Sequence, residues 1–394
     1  MDRCAYSGLN YRKAVNVEEL RAIAKRRLPN FVYEYIHGGS DDEVTLERNR
    51  AIFDKYYFTP RTLTKVSKQR SLETSIFGKK ISMPVLIGPT GFNGMVTKDG
   101  DTKLARAATH YGIPFTLSNA STTSLEDISK IDGLWHWMQI YFYRNRDYVK
   151  KLVERCKEAN YDTIVVTTDS AIFGNREWDR RNYSRPLVLT MRNKLHVLTK
   201  PRWLNDVLIP DGIPQFKNLG DLLPPGETSV KGAAAVLGQQ LDPSLNWDDI
   251  RWLRDEWKGR LVIKGILSVE EAATAVEVGV DGIVLSNHGG RQLDYSVSPM
   301  ELIADIRAEV GNQLAILVDS GFRRGSDVLK ARLLGADAVL LGRTTLYGLG
   351  AGGQEGAEHA LNIIREEMDR ILGLLGCNDL SELDSASLMV SSSR

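Results

Sequence analysis

Gly282-Ile283-Val284-Leu285-Ser286-Asn287-His288-Gly289-Gly290-Arg291 is the stretch that decides how this chain is read. Four apolar residues form a short buried strand, and directly beyond them stand a titratable base and a cation three residues apart. Glycines at 289 and 290 let the backbone turn tightly and pass close to a bound ligand, with no Cβ in the way. A lone histidine at a strand end is more often structural than catalytic. The weight therefore falls on whether other strands of the chain end in the same way.

Seven do. β-branched and aliphatic runs occupy 84–90, 114–119, 135–141, 163–169, 261–265, 282–288, 315–321 and 338–343. Runs of this near-continuous apolar kind indicate a parallel sheet covered on both faces. Amphipathic helical patterns lie between them, at 100–111, 147–159, 269–278 and 325–334. Eight strands with helical crossovers specify an α/β fold, the (β/α)8 TIM barrel, for which about 250 residues is typical. The excess forms N-terminal helices, a long insertion after strand 4 at 170–239, and C-terminal helices after 356. The chain reads as one domain, 1–394, with a flexible tail expected at 385–394.

Composition narrows the functional classes. The 394 residues carry 51 Lys and Arg against 50 Asp and Glu, a formal charge of +1 that gives no global attraction for nucleic acid. Cys4, Cys156 and Cys377 stand far apart with no CxxC spacing. That argues against a zinc site or a disulfide framework and suits a reducing cytosol. No apolar run approaches the ~20 residues of a membrane-spanning helix. Residues 1–4 lack the apolar core of a signal peptide, so the protein is expected inside the cell.

In a barrel of this kind the C-terminal strand ends converge on one face, where chemistry is to be sought. Here they carry Pro89, Thr90 and Gly91, then Ser118, Gln139 with Tyr141, Thr167 with Asp169, Lys264, His288 with Arg291, Asp319 with Arg323, and Gly342 with Arg343. Glycines and arginines after the last two strands suit a phosphate held by backbone amides, so a phosphorylated ligand is implied. Gly348-Leu349-Gly350-Ala351-Gly352-Gly353 fits GxGxxG, yet it neither directly follows a strand nor leads into a second one. It is read as a glycine-rich loop rather than a dinucleotide-binding turn.

Ser286 to Asp294 as a whole resembles the signature of the FMN-dependent α-hydroxy-acid oxidases and dehydrogenases. Supporting stretches span nearly the whole chain: Leu28-Pro29 with Val32-Tyr33-Glu34-Tyr35, Ser82-Met83-Pro84, Gly88-Pro89-Thr90-Gly91, Gln139-Ile140-Tyr141, Thr167-Thr168-Asp169, Val262-Ile263-Lys264-Gly265 and Asp319-Ser320-Gly321-Phe322-Arg323. The resemblance implies noncovalent FMN, no metal, and oxidation of an (S)-2-hydroxy acid to the 2-oxo acid. It makes His288 the base, with Asp169 orienting it. Lys264 becomes the cation that stabilises negative charge near the flavin N1 and O2. Arg176 and Arg291 match a pair that clamps the substrate carboxylate, for which the guanidinium fork is suited. Tyr35 and Tyr141 are expected to bond the carboxylate and the hydroxyl. Arg323, Arg343 and the Gly342 amide are assigned to the FMN phosphate, and Ser118, Gln139, Thr167, Ser286 and Asp319 to ribityl or ring atoms. Pro89, Thr90, Gly91 and Gly321 complete the cofactor lining, and Arg324 is left as a solvated or structural charge.

Two finer expectations follow from the resemblance. Ala120 stands where glycolate-oxidising members carry a tryptophan, which implies a pocket wide enough for a phenyl group and a preference for (S)-mandelate over (S)-lactate and glycolate. Within the insertion, Arg192, Lys194, Lys200 and Arg202 alternate with Leu195, Val197, Leu198, Trp203, Leu204, Val207 and Leu208. This mixture fits either a soluble lid or the surface of an anionic bilayer. Membrane-bound members of the family use the segment as an anchor. The resemblance therefore favours a peripheral homotetramer on the cytoplasmic side of the inner membrane, passing electrons to quinone or another electron-transport acceptor. Lactate as the substrate, oxygen as the acceptor with peroxide as product, and a plainly cytoplasmic location stay open as alternatives.

Overall fold

The computed structural model describes residues 6–185, 188–223 and 238–391. Eight parallel strands close a barrel in chain order: β1 (Val85–Ile87), β2 (Phe115–Ser118), β3 (His136–Tyr141), β4 (Thr163–Thr167), β5 (Arg260–Ile266), β6 (Gly282–Leu285), β7 (Ala315–Val318) and β8 (Ala338–Leu341). β8 returns to β1 through Val339 opposite Val85 and Leu341 opposite Ile87.

Side chains alternate across each strand, and the apolar residues divide accordingly. Val85, Ile87, Met138, Ile140, Ile164 and Val166 point outward and join the core shared with the helices. Leu86, Trp137, Val165, Val262, Val284, Leu317 and Leu340 point inward and form a separate plug inside the barrel. The hairpin of Thr74–Ile76 and Lys79–Ile81 closes the N-terminal end, with Ile76 and Ile81 completing the plug. Chemistry is thereby confined to the other mouth.

The helices read at 100–111, 269–278 and 325–334 occur with those bounds. The fourth is Arg146–Glu158, displaced by one residue because the Asn145 side chain caps it by accepting from the Tyr148 amide. Before the barrel come Val17–Arg27, Asn30–His37 and Val44–Ala51.

Three expectations need correction. The glycine-rich segment 348–353 is not a loop: it lies in the helical stretch Arg343–Leu374, in which two helices meet at a bend where Gly352 and Gly353 leave helical geometry. Glycine is needed there for packing. A Cβ on Gly348 would lie 2.3 Å from the Gly356 carbonyl oxygen, and one on Gly350 would lie 2.9 Å from Leu28 Cδ1. The tail from 385 is tied down as far as its described part reaches, since Leu388–Val390 pairs antiparallel with Tyr56–Phe58. Within the insertion, Val197, Trp203 and Val207 are buried rather than displayed, and the Trp203 indole donates to the Met95 carbonyl at 2.8 Å. Residues 186–187 and 224–237 of the insertion, and Cys4 and 392–394, lie outside the described residues.

Candidate active site

The site grows from the same alternation that builds the plug. Two residues beyond Leu86, Trp137, Val165, Val262, Val284, Leu317 and Leu340 stand Gly88, Gln139, Thr167, Lys264, Ser286, Asp319 and Gly342. The next inward-facing layer is thus polar or glycine on each of these strands. Above it opens a cavity of about 470 Å³, within the usual range for a ligand site. Tyr35, Pro89, Thr90, Gly91, Ser118, Gln139, Tyr141, Thr167, Arg176, Lys264, His288, Arg291, Asp319, Gly321, Arg323, Gly342 and Arg343 all line it. Asp169 and Ser286 stand behind the wall, bonded to residues that do.

His288 is held by its backbone and by its ring. His288, Gly289 and Gly290 have φ of 57°, 68° and 71°, three successive left-handed residues, of which only the glycines adopt this conformation without cost. Asn287 pins the turn, exchanging 2.8 Å side-chain bonds with Asn49. His288 Nδ1 lies 2.8 Å from Asp169 Oδ1 and 3.2 Å from Ser170 Oγ. An ionised carboxylate only accepts, so Nδ1 carries the hydrogen and Nε2 is left with a lone pair for the cavity. Burial lowers the His288 pKa below its ordinary value against the opposing pull of Asp169, which keeps the ring neutral near pH 7. Burial alone would raise the Asp169 carboxyl, but the neighbouring His288 and Lys264 hold it well below the usual range.

Lys264 is buried, with Nζ 2.7 Å from Ser286 Oγ, 3.4 Å from Asp319 Oδ2 and 3.8 Å from Asp169 Oδ2. Burial disfavours its charge, yet the two carboxylates more than offset this and raise its pKa. It is a fixed cation at the barrel mouth.

Opposite lie the arginines. Arg291 Nη1 donates to the carbonyls of Tyr35 at 2.6 Å and Gly38 at 3.1 Å, and its guanidinium sits 5.2 Å from the centre of the Tyr35 ring. Arg176 Nε reaches the Arg291 carbonyl at 3.4 Å. Burial first and then repulsion from Arg176 push the Arg291 pKa down to about 9. Tyr35 donates to the Gly91 carbonyl at 3.2 Å. Burial and then the Asp169 charge push Tyr141 up to about 12, so its hydroxyl keeps its proton.

The far end fits a phosphorylated flavin. Gly342 precedes the helix that begins at Arg343, and no side chain caps it, which leaves its first amides free for an anion. Arg323 stands beside it, donating to the Phe322 carbonyl at 2.8 Å and lying over the Tyr347 ring. Buried Gln139 Nε2 has no partner, while its Oε1 accepts from Ser118 Oγ at 3.1 Å and the Asn119 amide at 3.3 Å. A flat acceptor-bearing ring would satisfy the orphaned donor. Arg343 departs from a simple phosphate ligand: Nε, Nη1 and Nη2 already donate to the carbonyls of Ile36, Gly289 and Gly38. Two of its five N–H groups are left. Arg324, set aside on sequence grounds, pairs with Glu367 at 3.1 Å.

Sequence reading missed Ser170, Asn287, Gln292 and Asp179. Gln292 ties the loop after β4 to the loop after β6, bonding the carbonyls of Asp169 at 2.8 Å and Ile172 at 2.9 Å. Asn287 and Gln292 lay within the motif around His288, where side-chain amides flanking a glycine turn could have marked them as loop braces. Ser170 and Asp179 follow no periodicity that marks them.

Comparison with known proteins shows the family. A family model described as FMN-dependent dehydrogenase matches residues 24–390. (S)-mandelate dehydrogenase of Pseudomonas putida is 44% identical over 369 residues, 93% of this chain and 92% of that protein. A crystal structure of monotopic membrane protein (S)-mandelate dehydrogenase superposes with a TM-score of 0.91 at 42% identity, covering 96% of this chain and all of that one. Mandelate oxidase with benzoyl-formic acid superposes at 0.79 with 31% identity, covering 96% and 99%.

Proposed function

The chain belongs to the FMN-dependent dehydrogenase family, and from that premise we propose that it oxidises (S)-mandelate, or a 2-hydroxy acid close to it, to the 2-oxo acid. The observation that carries the proposal is the arrangement across one cavity: a neutral His288 braced by Asp169, facing Arg176 and Arg291. FMN, when bound, supplies the two-electron acceptor. The Gly342 helix end and Arg323 would hold its phosphate, Gln139 and Ser118 its ring or ribityl atoms, and Lys264 would balance negative charge at the ring.

On the substrate side, the guanidinium groups of Arg176 and Arg291 hold the carboxylate and fix its orientation, helped by Tyr35. His288 Nε2 takes the proton released on oxidation. Asp169, 2.8 Å from Nδ1, stabilises the imidazolium that results. Tyr141 donates to the substrate hydroxyl oxygen. For the rest of the substrate, Ala120 leaves room at the wall, and Phe92 and Phe216 stack there with centroids 4.7 Å apart. An aromatic wall of this kind favours a phenyl group. Anaerobic mixing of the FMN-loaded protein with a panel of 2-hydroxy acids tests the reading. (S)-Mandelate should bleach the flavin fastest, and a flavin that no 2-hydroxy acid reduces would refute it.

The same reading places the protein peripherally at a membrane, as a homotetramer that passes electrons to quinone. What supports the membrane contact is a set of exposed apolar side chains on the insertion, Met191, Leu195, Leu198, Ile209 and Ile213, alongside basic Arg192 and Lys194. No helix among the described residues is long and apolar enough to cross a membrane. Oxygen is the competing acceptor, and stoichiometric peroxide in air-saturated turnover would favour it.

A further inference from the structure

Asp179 lies in the short helix Glu177–Arg180, three residues beyond Arg176, and faces the same cavity as Arg176, Arg291 and Tyr183. Its Oδ1 is sealed from solvent and has no hydrogen-bond partner. The contacts of the two arginines described above run to main-chain carbonyls, which leave their charges uncompensated. Arg180 also lines the cavity but is exposed at its rim, bonded to Asn175 Oδ1 at 2.6 Å, so the inner part of this wall holds two cations and one anion, a net charge of one to offer a ligand. One carboxylate brings the wall to neutrality. A second would overshoot and set its charge against Asp179 in a region of reduced dielectric, where repulsion is weakly screened.

We infer that Asp179 determines specificity by charge, restricting this site to 2-hydroxy acids with a single carboxylate and turning away their dicarboxylate counterparts. The inference rests on the substrate reading given above. Neighbouring groups sense the same carboxylate: the Tyr183 phenol is driven up by burial and then by the Asp179 charge, and Arg291 and Arg176 oppose the rise that burial imposes on Asp179 itself. An isolated structural carboxylate would instead be expected to hold its own hydrogen bonds, as Asp294 does with the Thr45 amide at 2.7 Å.

(S)-Lactate and (S)-malate make the sharpest pair of probes, because malate carries a carboxylate where lactate carries a hydrogen of its methyl group. The experiment measures anaerobic flavin reduction by both in the FMN-loaded protein and in its Asp179→Asn, Asp179→Ser and Asp179→Glu variants. Either neutral variant that folds and holds flavin should raise the malate-to-lactate ratio of kcat/KM by about tenfold or more, the scale of removing one close like-charge contact. Asp179→Glu should leave the ratio as it was. A ratio unmoved in a flavin-loaded neutral variant overturns the inference. If no monocarboxylate reduces the unaltered protein, the substrate reading falls by itself, and malate binding followed by the flavin absorbance change still judges Asp179. Tighter malate binding in the neutral variants supports the inference, and an unchanged Kd overturns it.

Discussion

At the scale of single residues, the neutral imidazole of His288 sets the pH behaviour. Its folded pKa lies below the ordinary 6.5 because burial penalises the charged ring. The base is therefore already unprotonated near pH 7. The rate of flavin reduction should fall on acidification with a midpoint below pH 6.5, as protonation removes the Nε2 lone pair. A midpoint at or above 6.5 would count against His288 as the base. His288→Ala should slow reduction about 100- to 10,000-fold, the usual worth of a general base, while FMN content is unchanged. Ala120→Trp tests the pocket: filling the space against Gly91, whose Cβ position lies 3.3 Å from Ala120 Cβ, should cut kcat/KM for mandelate by about tenfold or more, on the scale of a lost phenyl contact. Glycolate should suffer less. His288, Lys264 and the strand-end glycines were legible because period-two alternation fixes which strand residues face inward. Ser170, which touches both members of the His288–Asp169 pair, was not, since nothing in a loop's spacing says where its hydroxyl points.

At the scale of elements, all eight strands were legible, because apolar runs of strand length alternating with amphipathic ones leave few other folds. The helix through Gly348 and Gly350 was not. Glycine disfavours helix by roughly 1 kcal/mol relative to alanine, and the packing that overrides this, Gly348 against Gly356, is a contact between two helices that no local pattern displays. The turn after β6 carries a prediction of its own. Gly290 has φ of 71°, and a Cβ there would lie 2.7 Å from the Leu46 amide nitrogen. Gly290→Ala should cost about 1–2 kcal/mol from the left-handed conformation alone, with the backbone clash added. Thermal denaturation should show a lowered Tm, and His288-dependent flavin reduction should weaken in the surviving folded fraction.

At the scale of the whole molecule, the proposed membrane contact turns on the insertion. Leu198 and Ile209 are 68% and 70% exposed, while Trp203 and Val207 of the same segment anchor it to the barrel. Replacing Met191, Leu198 and Ile209 together with Asp should abolish co-sedimentation with vesicles containing anionic lipid and leave mandelate-dependent flavin reduction within about twofold, as expected of surface changes away from the site. Loss of reduction with intact folding would instead mark the segment as a lid. The basic and apolar alternation was legible, but which of its apolar residues turn inward was not, because that depends on contacts such as the one between Trp203 and Phe31.

Arg343 makes the N-terminal helix part of the cofactor's history. One guanidinium stitches the Ile36 and Gly38 carbonyls to that of Gly289, so the segment that brings Tyr35 and Ile36 to the cavity wall is tied to the turn that carries His288. A flavin that entered or left past this wall would have to break those ties, and its exchange would then be gated rather than simply diffusive. Holoprotein diluted into excess free flavin analogue should swap slowly, with Arg343→Met accelerating the swap, and brief proteolysis should cut within 30–40 far more readily in flavin-stripped protein. Exchange as fast in the unaltered chain as in Arg343→Met would show that the mouth has another way open.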